Sequence, residues 1–485
     1  MKPDQHICYA ALDVGTSQIK MAVYSPVLTP ALQLIGHRPA PVHMTPPGKA
    51  TCSYEALCTS VSSLFDDLSL FLREHAFDRV YLGICGLVSS YLIWDKQKQK
   101  PVCDEIPVWL DSTCSPSLNK LFSKLAGGKD IRLLGSPLPQ GTNWLITKLY
   151  HHRTRKLSDN EIFLQLGDAL FSELSGCYAS HFSSQISIVH HHTREYSRQL
   201  LSMTGYEIHH FPELSSRVFP VRTNNKLLPR GFPCPAFAVP ALADFYASFL
   251  GLSLSAGEGF MLANTSEISG KATSHAMISR PFITLKMEKF FLLYGSTNTG
   301  ANVMNWFVRN MLRRPVSPET FNELNQQAQC LDPAETPLFY PFIDGERSPW
   351  WDSTLQGTFA GLRSGHTDAH LYRAVMESIA FCRRYQFETM PSRMPRVIKI
   401  CGGSARNQLF NQIRAAVLKR PLLKAVYPEI ALTGVLSYVL DMVTSSPPLS
   451  PDYESVFPEK NLIKAYEKKY SLFLKHMNKA LKLKI

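Results

Sequence analysis

Residues 13–20, DVGTSQIK, gather a carboxylate, a glycine, two hydroxyls and a lysine between two apolar runs, Ala11-Leu12 and Met21-Ala22-Val23-Tyr24. The apolar runs read as strands, and Gly15 gives the turn between them the permissive backbone it needs. A plain hairpin favours Asn-Gly or Asp-Gly at its tip. This one instead directs backbone N–H groups, Thr16, Ser17 and Lys20 at one small volume, and these are phosphate-binding groups. An ordinary surface loop is the alternative. The pattern returns in the second half, where the apolar strand GFMLA (259–263) gives way to the hydroxyl-bearing turn NTSEISG (264–270). Two such turns, from two similar domains, would embrace one nucleotide. In VIKICGGSARNQLFNQIRAAVLKRPLLKAV (397–426) a strand, a glycine turn, a helix and a strand follow one another. Gly402 and Gly403 let the backbone come close to something flat or bulky where that helix begins.

The elements that must position these groups alternate in the α/β manner. After the hairpin, SYEALCTSVSSLFDDLSLFLREHA (53–76) has helical spacing and RVYLGICGL (79–87) reads as a strand. Helical stretches follow near 144–153 and 195–203. LPRGFPCPAFAVP (228–240) holds four prolines in thirteen residues and cannot stay regular for long. The chain is therefore divided here into domains 1–240 and 241–485. The second opens on the helical ALADFYASFLGL, and its later helix carries Leu409, Ile413, Ala416 and Val417 on one face.

At 485 residues, 45% hydrophobic and 19% charged, the chain is long enough for two or three cores and is not of disordered composition. The start, MKPDQHICYA, lacks the apolar run of a signal peptide, and no window is apolar enough to span a bilayer, so a cytoplasmic protein without membrane insertion is expected. Eleven cysteines, scattered and without a CxxC pair, predict reduced thiols and argue against a zinc site or disulfide framework. The formal charge of +12 is compatible with nucleic acid, an anionic surface or phosphate-bearing substrates. Much of it lies in KAYEKKYSLFLKHMNKALKLKI (464–485), read as a terminal helix docked through Tyr466, Tyr470, Phe473, Met477 and Leu481 with its lysines in water. Nucleic-acid binding rests on charge alone and is not expected. The paired histidines 151–152, 190–192 and 209–210 lack carboxylate partners nearby and read as solvated rather than metal-binding.

Taken in order, DVGTSQIK, ANTSE (263–267), GSTNTGANVMNW (295–306), YPFIDGERSPWWDSTLQGTFAGLRSGHTDAHLYRAVMESIAF (340–381) and CGGSARN (401–407) resemble the FGGY carbohydrate kinases over nearly the whole chain, nearest in form to xylulokinases and sedoheptulokinases. The resemblance implies an α/β fold of two actin-like, ribonuclease-H-like ATPase domains with a central cleft. It implies ATP and Mg²⁺ as cofactors, and a small sugar or polyol as the partner molecule. On the same grounds Asp244, seven positions before Gly251, is the base that takes the proton from the sugar hydroxyl; a helix N-cap after Pro240 is its other reading. Asp13 orients Mg²⁺ through water, and Gly15, Thr16, Ser17 and Lys20 hold the β- and γ-phosphates. Thr265 does so from the other domain, Gly300 and Gly403 flank base and ribose, and Asn407 lies near the adenine. Gly300 and Gly403 also fit simple turn and helix-start geometry.

Sugar recognition departs from the pattern. Val88-Ser89-Ser90 stand where ketose kinases carry Met-His-Gly. PVWLDSTC keeps Trp109 and Asp111 but has Ser112-Thr113 in place of Gly-Arg. Phe245 follows the base where Asn or Gln is usual, and PALA replaces the preceding glycines. The expected acceptor-site residues are thus Ser89, Trp109, Asp111, Asp244 and Phe245, with Thr142 or Asn143 beside them. Two functions compete: an ATP-dependent kinase acting on a ketose such as a pentulose or heptulose, and a degenerate member that binds nucleotide or ligand as a regulator. A homodimer stays open.

Overall fold

The computed structural model describes residues 6–46, 48–136 and 144–481; Thr142 and Asn143 lie outside them. It forms two compact units, Met1–Ser253 with Glu429–Pro451, and Leu254–Pro428 with Asp452–Ile485. The cut expected at 240/241 falls inside the first unit, for a physical reason. The helix Asp244–Gly251 packs against the helix Ile430–Thr444 through two glycines. A Cβ on Gly251 would lie 2.0 Å from the Ile430 carbonyl oxygen, and one on Gly434 1.7 Å from that of Ala247. Such backbone contact ties residues 244–251 and the returning segment into one body, so Asp244 belongs to the first unit.

The first unit is built on a sheet in the order Phe219–Pro220, Ala236–Ala238, Arg79–Gly86, Ile7–Val14, Gln18–Tyr24, Leu32–Pro39. Ile7–Val14 and Leu32–Pro39 each pair antiparallel with Gln18–Tyr24, while Arg79–Gly86 and Ala236–Ala238 run parallel to Ile7–Val14. The helix Tyr54–Glu74 starts where the Ser53 side chain accepts from the Ala56 N–H. Its Leu57, Val61, Leu64, Phe65 and Leu68 cover the sheet and form one core with Ala10, Leu12 and Val23. The proline-rich run supplies only the short strand Ala236–Ala238.

The second unit repeats the plan. Phe291–Ser296, Glu267–Thr273 and Gly259–Ala263 are antiparallel, and Ile398–Cys401 and Leu422–Ala425 extend the sheet in parallel. The echo between the two hairpins is therefore an echo of whole five-strand motifs. The helices Asp368–Thr389, Gln408–Leu418 and Lys460–Ala480 share a core in which Tyr466, Tyr470, Phe473 and Met477 are buried. The terminal helix docks by the expected face, with one departure. Lys469 is buried, its ammonium donating to the carbonyls of Pro333 and Thr336, each at 2.9 Å, and to Glu377 Oε2 at 2.5 Å. Among the described residues no helix is long and apolar enough to cross a membrane.

Candidate active site

Strand register assembles the chemistry of the first unit. Asp13 pairs with Cys85 across parallel strands and with Lys20 across the hairpin. Leu242 and Ala243 pair with Cys85 and Gly86, so the chain leaves the sheet into Asp244 beside the same carboxyl ends of parallel strands where α/β folds bind ligands. Cys85 donates its S–H to Asp13 Oδ1 at 3.2 Å, a contact no sequence pattern announces. Burial pushes the Asp13 carboxyl up to about 6, with Glu429 adding to the rise while Cys85 and Lys20 oppose it. Burial, then the nearby charge of Asp13, pushes Asp244 up to about 7 against the backbone N–H groups of Phe245 and Val88, which hold its ionised form. Asp244 is the first residue of its helix, and the N-cap position belongs to Ala243. Its side chain is not a conventional cap.

The hairpin tip closes through the Gly15 N–H on the Gln18 carbonyl at 3.0 Å. Ser17 is exposed and Thr16 half-buried. Lys20 pairs with Glu429, its Nζ 2.5 Å from Oε2, each side chain about one-fifth exposed. Glu429 lies more than 400 residues away in sequence and was invisible to motif reading. Around Asp13 the carboxylates Asp244 and Glu429 therefore face a single ammonium, an excess of hard oxygen charge.

The acceptor-side candidates also come together. Val88 donates to Asp244. Ser89, buried, takes a left-handed φ of 58°, a conformation costing a non-glycine residue on the order of 1 kcal/mol or more. Ser90 Oγ accepts from the Trp109 N–H at 3.1 Å, and the Trp109 indole N–H reaches Thr16 Oγ1 at 3.0 Å. Phe245 is half-buried beside the base. Asp111 has a different part to play, because its Oδ2 accepts from the Ala50 N–H at 3.0 Å and its Oδ1 from the Thr113 N–H and hydroxyl at 3.1 and 2.5 Å. It clamps the loop that carries Trp109. Lys148 braces the same loop by donating to the Val108 carbonyl, and burial lowers its ammonium to about 8. It too was missed, since a lysine in a helical stretch reads as solvated.

In the second unit three predicted loops meet. A Cβ on Gly300 would sit 2.8 Å from the Thr265 carbonyl oxygen, and one on Gly402, at φ 103°, 2.5 Å from Asn264 Oδ1. Thr265 and Gly403 are both exposed at this junction. Asn407 is placed otherwise: it caps the helix Gln408–Leu418, with Oδ1 accepting from the Phe410 N–H at 3.0 Å and Nδ2 donating to Asn325 Oδ1 at 3.0 Å. Beneath these turns lies a buried charge network. Arg414 binds Glu267 and donates to Ser404 Oγ at 2.9 Å, and Arg383 lies 3.7 Å from Glu267 and 3.9 Å from Glu346. Glu346 accepts from the N–H groups of Asn298 and Arg347 at 2.6 and 2.7 Å. Glu267 and Glu346 stand inside the motifs ANTSE and GER-x-P, but their coupling through Arg383 is a tertiary fact. Among the described residues no group of three or more His, Cys, Asp or Glu is arranged to enclose a metal ion.

Comparison with known proteins places this architecture. The N-terminal domain of the FGGY family of carbohydrate kinases matches residues 8–226, and the C-terminal domain of the same family residues 259–438. A glycerol kinase of Deinococcus radiodurans is 24% identical over 451 residues, covering 89% of this chain and 88% of that protein. Ligand-bound xylulose kinase from Lactobacillus acidophilus superposes with a TM-score of 0.85 at 17% identity over 99% of both chains. Plasmodium falciparum glycerol kinase with ADP does so at 0.83 and 17% over 98% of both. These solved structures share the fold, which is the two-domain, actin-like ATPase type of the sugar kinases. With both of its family domains matched in order, the chain belongs to the FGGY family of carbohydrate kinases, phosphotransferases that use an alcohol group as acceptor.

Proposed function

We propose that this kinase transfers the terminal phosphoryl group of ATP to a hydroxyl of a small polyhydroxy acceptor, a ketose such as a pentulose or heptulose, with Asp244 as the general base. The observation that carries the reading is the Asp13–Asp244 pair at the end of the phosphate hairpin, where burial and mutual repulsion leave Asp244 at about 7. A base poised near the working pH both accepts a proton readily and is present in its ionised form. In this reading the acceptor oxygen attacks the γ-phosphorus, its proton passes to an Asp244 oxygen, and the bond to the ADP oxygen breaks. Lys20 and Thr16 offset and hold the charge on the transferred group, and Thr265 with Gly300 and Gly403 serve the nucleotide from the second unit. The oxygen-rich, negatively unbalanced surroundings of Asp13 fit a hard cation that keeps part of its water. Mg²⁺ held there through water would neutralise the phosphates, which is where most of the catalysis of such transfers resides.

The choice between ketose and glycerol falls to the acceptor side. Asp111 already serves Ala50 and Thr113, and the Trp109 indole N–H serves Thr16, so polyol hydroxyls are left to Ser89 and Asp244, with the Trp109 ring as a wall. ADP release measured over pentuloses, heptuloses, glycerol and aldonates tests the proposal. The expected result is turnover on one class, lowered by about 10²–10⁴-fold in Asp244→Asn with ATP binding retained. Unchanged turnover in that variant defeats the assigned base. ATP binding without turnover on any acceptor favours the regulator, the reading that the altered Val88-Ser89-Ser90 turn supports.

A further inference from the structure

The indole of Trp109 joins the acceptor side of the first unit to the phosphate hairpin. Its Nε1 lies 3.0 Å from Thr16 Oγ1. An indole N–H can only donate, so the threonine oxygen is the acceptor and its own hydrogen points away from the ring. Among the described residues that hydrogen has no acceptor. It lies on a turn whose following strand carries Lys20 and whose preceding strand carries Asp13. A hydroxyl that accepts one hydrogen bond is polarised into a better donor for the next.

The ring itself is held. The Trp109 N–H is fixed on Ser90 Oγ at 3.1 Å, the preceding carbonyl on the Lys148 ammonium, and the following turn by Asp111 on the Ala50 N–H. Three separate stretches, 50, 90 and 148, thus brace one loop whose end product is a donor aimed at Thr16. A side chain serving only to wall an apolar pocket has no need of that aim.

We infer that Trp109 is a positioning residue for phosphoryl transfer: its indole N–H sets the Thr16 hydroxyl as a donor to the terminal phosphate of the nucleotide. The inference rests on the nucleotide reading above. It also couples the two sides of the site, because a shift of the Trp109 loop on binding an acceptor changes the hydrogen bond that orients Thr16.

The test is nucleotide affinity without acceptor. Calorimetric titrations compare ADP with the β,γ-imido analogue of ATP, each with Mg²⁺, in the wild type and in Trp109→Phe, Thr16→Val, Thr16→Ser and the Trp109→Phe/Thr16→Val double variant. Both single losses should cut the preference for the triphosphate by roughly tenfold, the size expected for one hydrogen bond to a charged group. The double variant should lose no more than either single one, and Thr16→Ser should restore most of the preference. An acceptor-wall role for Trp109 would leave this ratio untouched. If Trp109→Phe keeps the full preference, or the two losses simply add, the positioning role is overturned while the kinase reading stands. If the wild type binds neither nucleotide, both fall together. If Trp109→Phe does not fold, Trp109→Leu, which also removes the indole donor, is read by the same ratio, and a full preference in it overturns the positioning role.

Discussion

Lys20 Nζ and Glu429 Oε2 lie 2.5 Å apart, joining the second strand of the phosphate hairpin to the residue at which the chain re-enters the first unit. Glu429 occupies the N-cap position of the helix Ile430–Thr444, yet its side chain caps nothing there. Its charge also contributes to the rise of the Asp13 carboxyl. One carboxylate thus compensates the lysine proposed to hold phosphate and raises the carboxyl proposed to hold the cation.

Glu429→Gln should therefore tighten nucleotide binding. The amide keeps an acceptor for Lys20 but removes a negative charge that repels the triphosphate. For a pair this exposed the gain is about 1 kcal/mol or less, several-fold in Kd. Titration of ADP with Mg²⁺ into both forms measures it, and weaker binding in the variant would show that Glu429 holds Lys20 in place rather than competing for it.

The raised carboxyls fix a pH dependence. With Asp244 as the proposed base, turnover requires its ionised form, so kcat/KM for the acceptor should rise with pH through an inflection near 7. Asp13→Asn removes the like charge that ranks after burial among the causes, and the inflection of the residual activity should move to lower pH. Stability runs the other way. A carboxyl raised above its unfolded value retains its proton in the folded state, so its contribution is full below about pH 4 and is lost as pH rises through 6 and 7 for Asp13 and Asp244. Melting of the ligand-free protein between pH 5 and 8 should fall less steeply in Asp244→Asn than in the wild type.

The parts of this arrangement legible in the sequence are the local ones. The hairpin 7–24, the helix from Tyr54 and the docked face of residues 466–477 follow from alternation and helical spacing. Contacts between distant segments were not legible. The Asp13–Cys85 pair depends on parallel register across 72 positions. The place of Asp244 in the first unit depends on Gly251 and Gly434, whose backbone contact leaves no periodic trace. Lys148 and Lys469 look like ordinary solvated charges until the carbonyls that receive them are seen. Asp111 and Asn407 carried the right residue type for ligand contacts, but Thr113 and Ala50, and Asn325 and Phe410, hold them within the protein.

Breaking the buried network of the second unit should be costly. Glu267 and Arg414 are both fully buried, and Arg414→Ala leaves a carboxylate with only the more distant Arg383 guanidinium at 3.7 Å. Loss of one partner from such a pair destabilises by about 3–5 kcal/mol. Glu267→Gln combined with Arg414→Met should recover a large share, since the stranded charge is gone. Urea midpoints of the three proteins check this; Arg414→Ala as stable as the wild type would mean the network bears no load.

Adjacent glycines of the second unit separate architecture from ligand contact. Gly402 takes φ 103°, and its Cβ would lie 2.5 Å from Asn264 Oδ1 and 2.8 Å from the Ala263 backbone. Gly402→Ala should therefore cost about 1–3 kcal/mol for the backbone alone and push the Asn264–Thr265 turn aside, lowering the melting temperature and nucleotide affinity together. Gly403 differs, because a Cβ there meets no heavy atom within 4 Å. Gly403→Ala should leave the urea midpoint within about 0.5 kcal/mol of wild type, yet weaken ADP binding if the adenosine rests on that bare backbone. Intact stability with intact ADP affinity in Gly403→Ala would reduce this glycine to helix-start geometry and move the adenosine elsewhere, whereas an affinity loss without a stability loss isolates a surface that only the nucleotide touches.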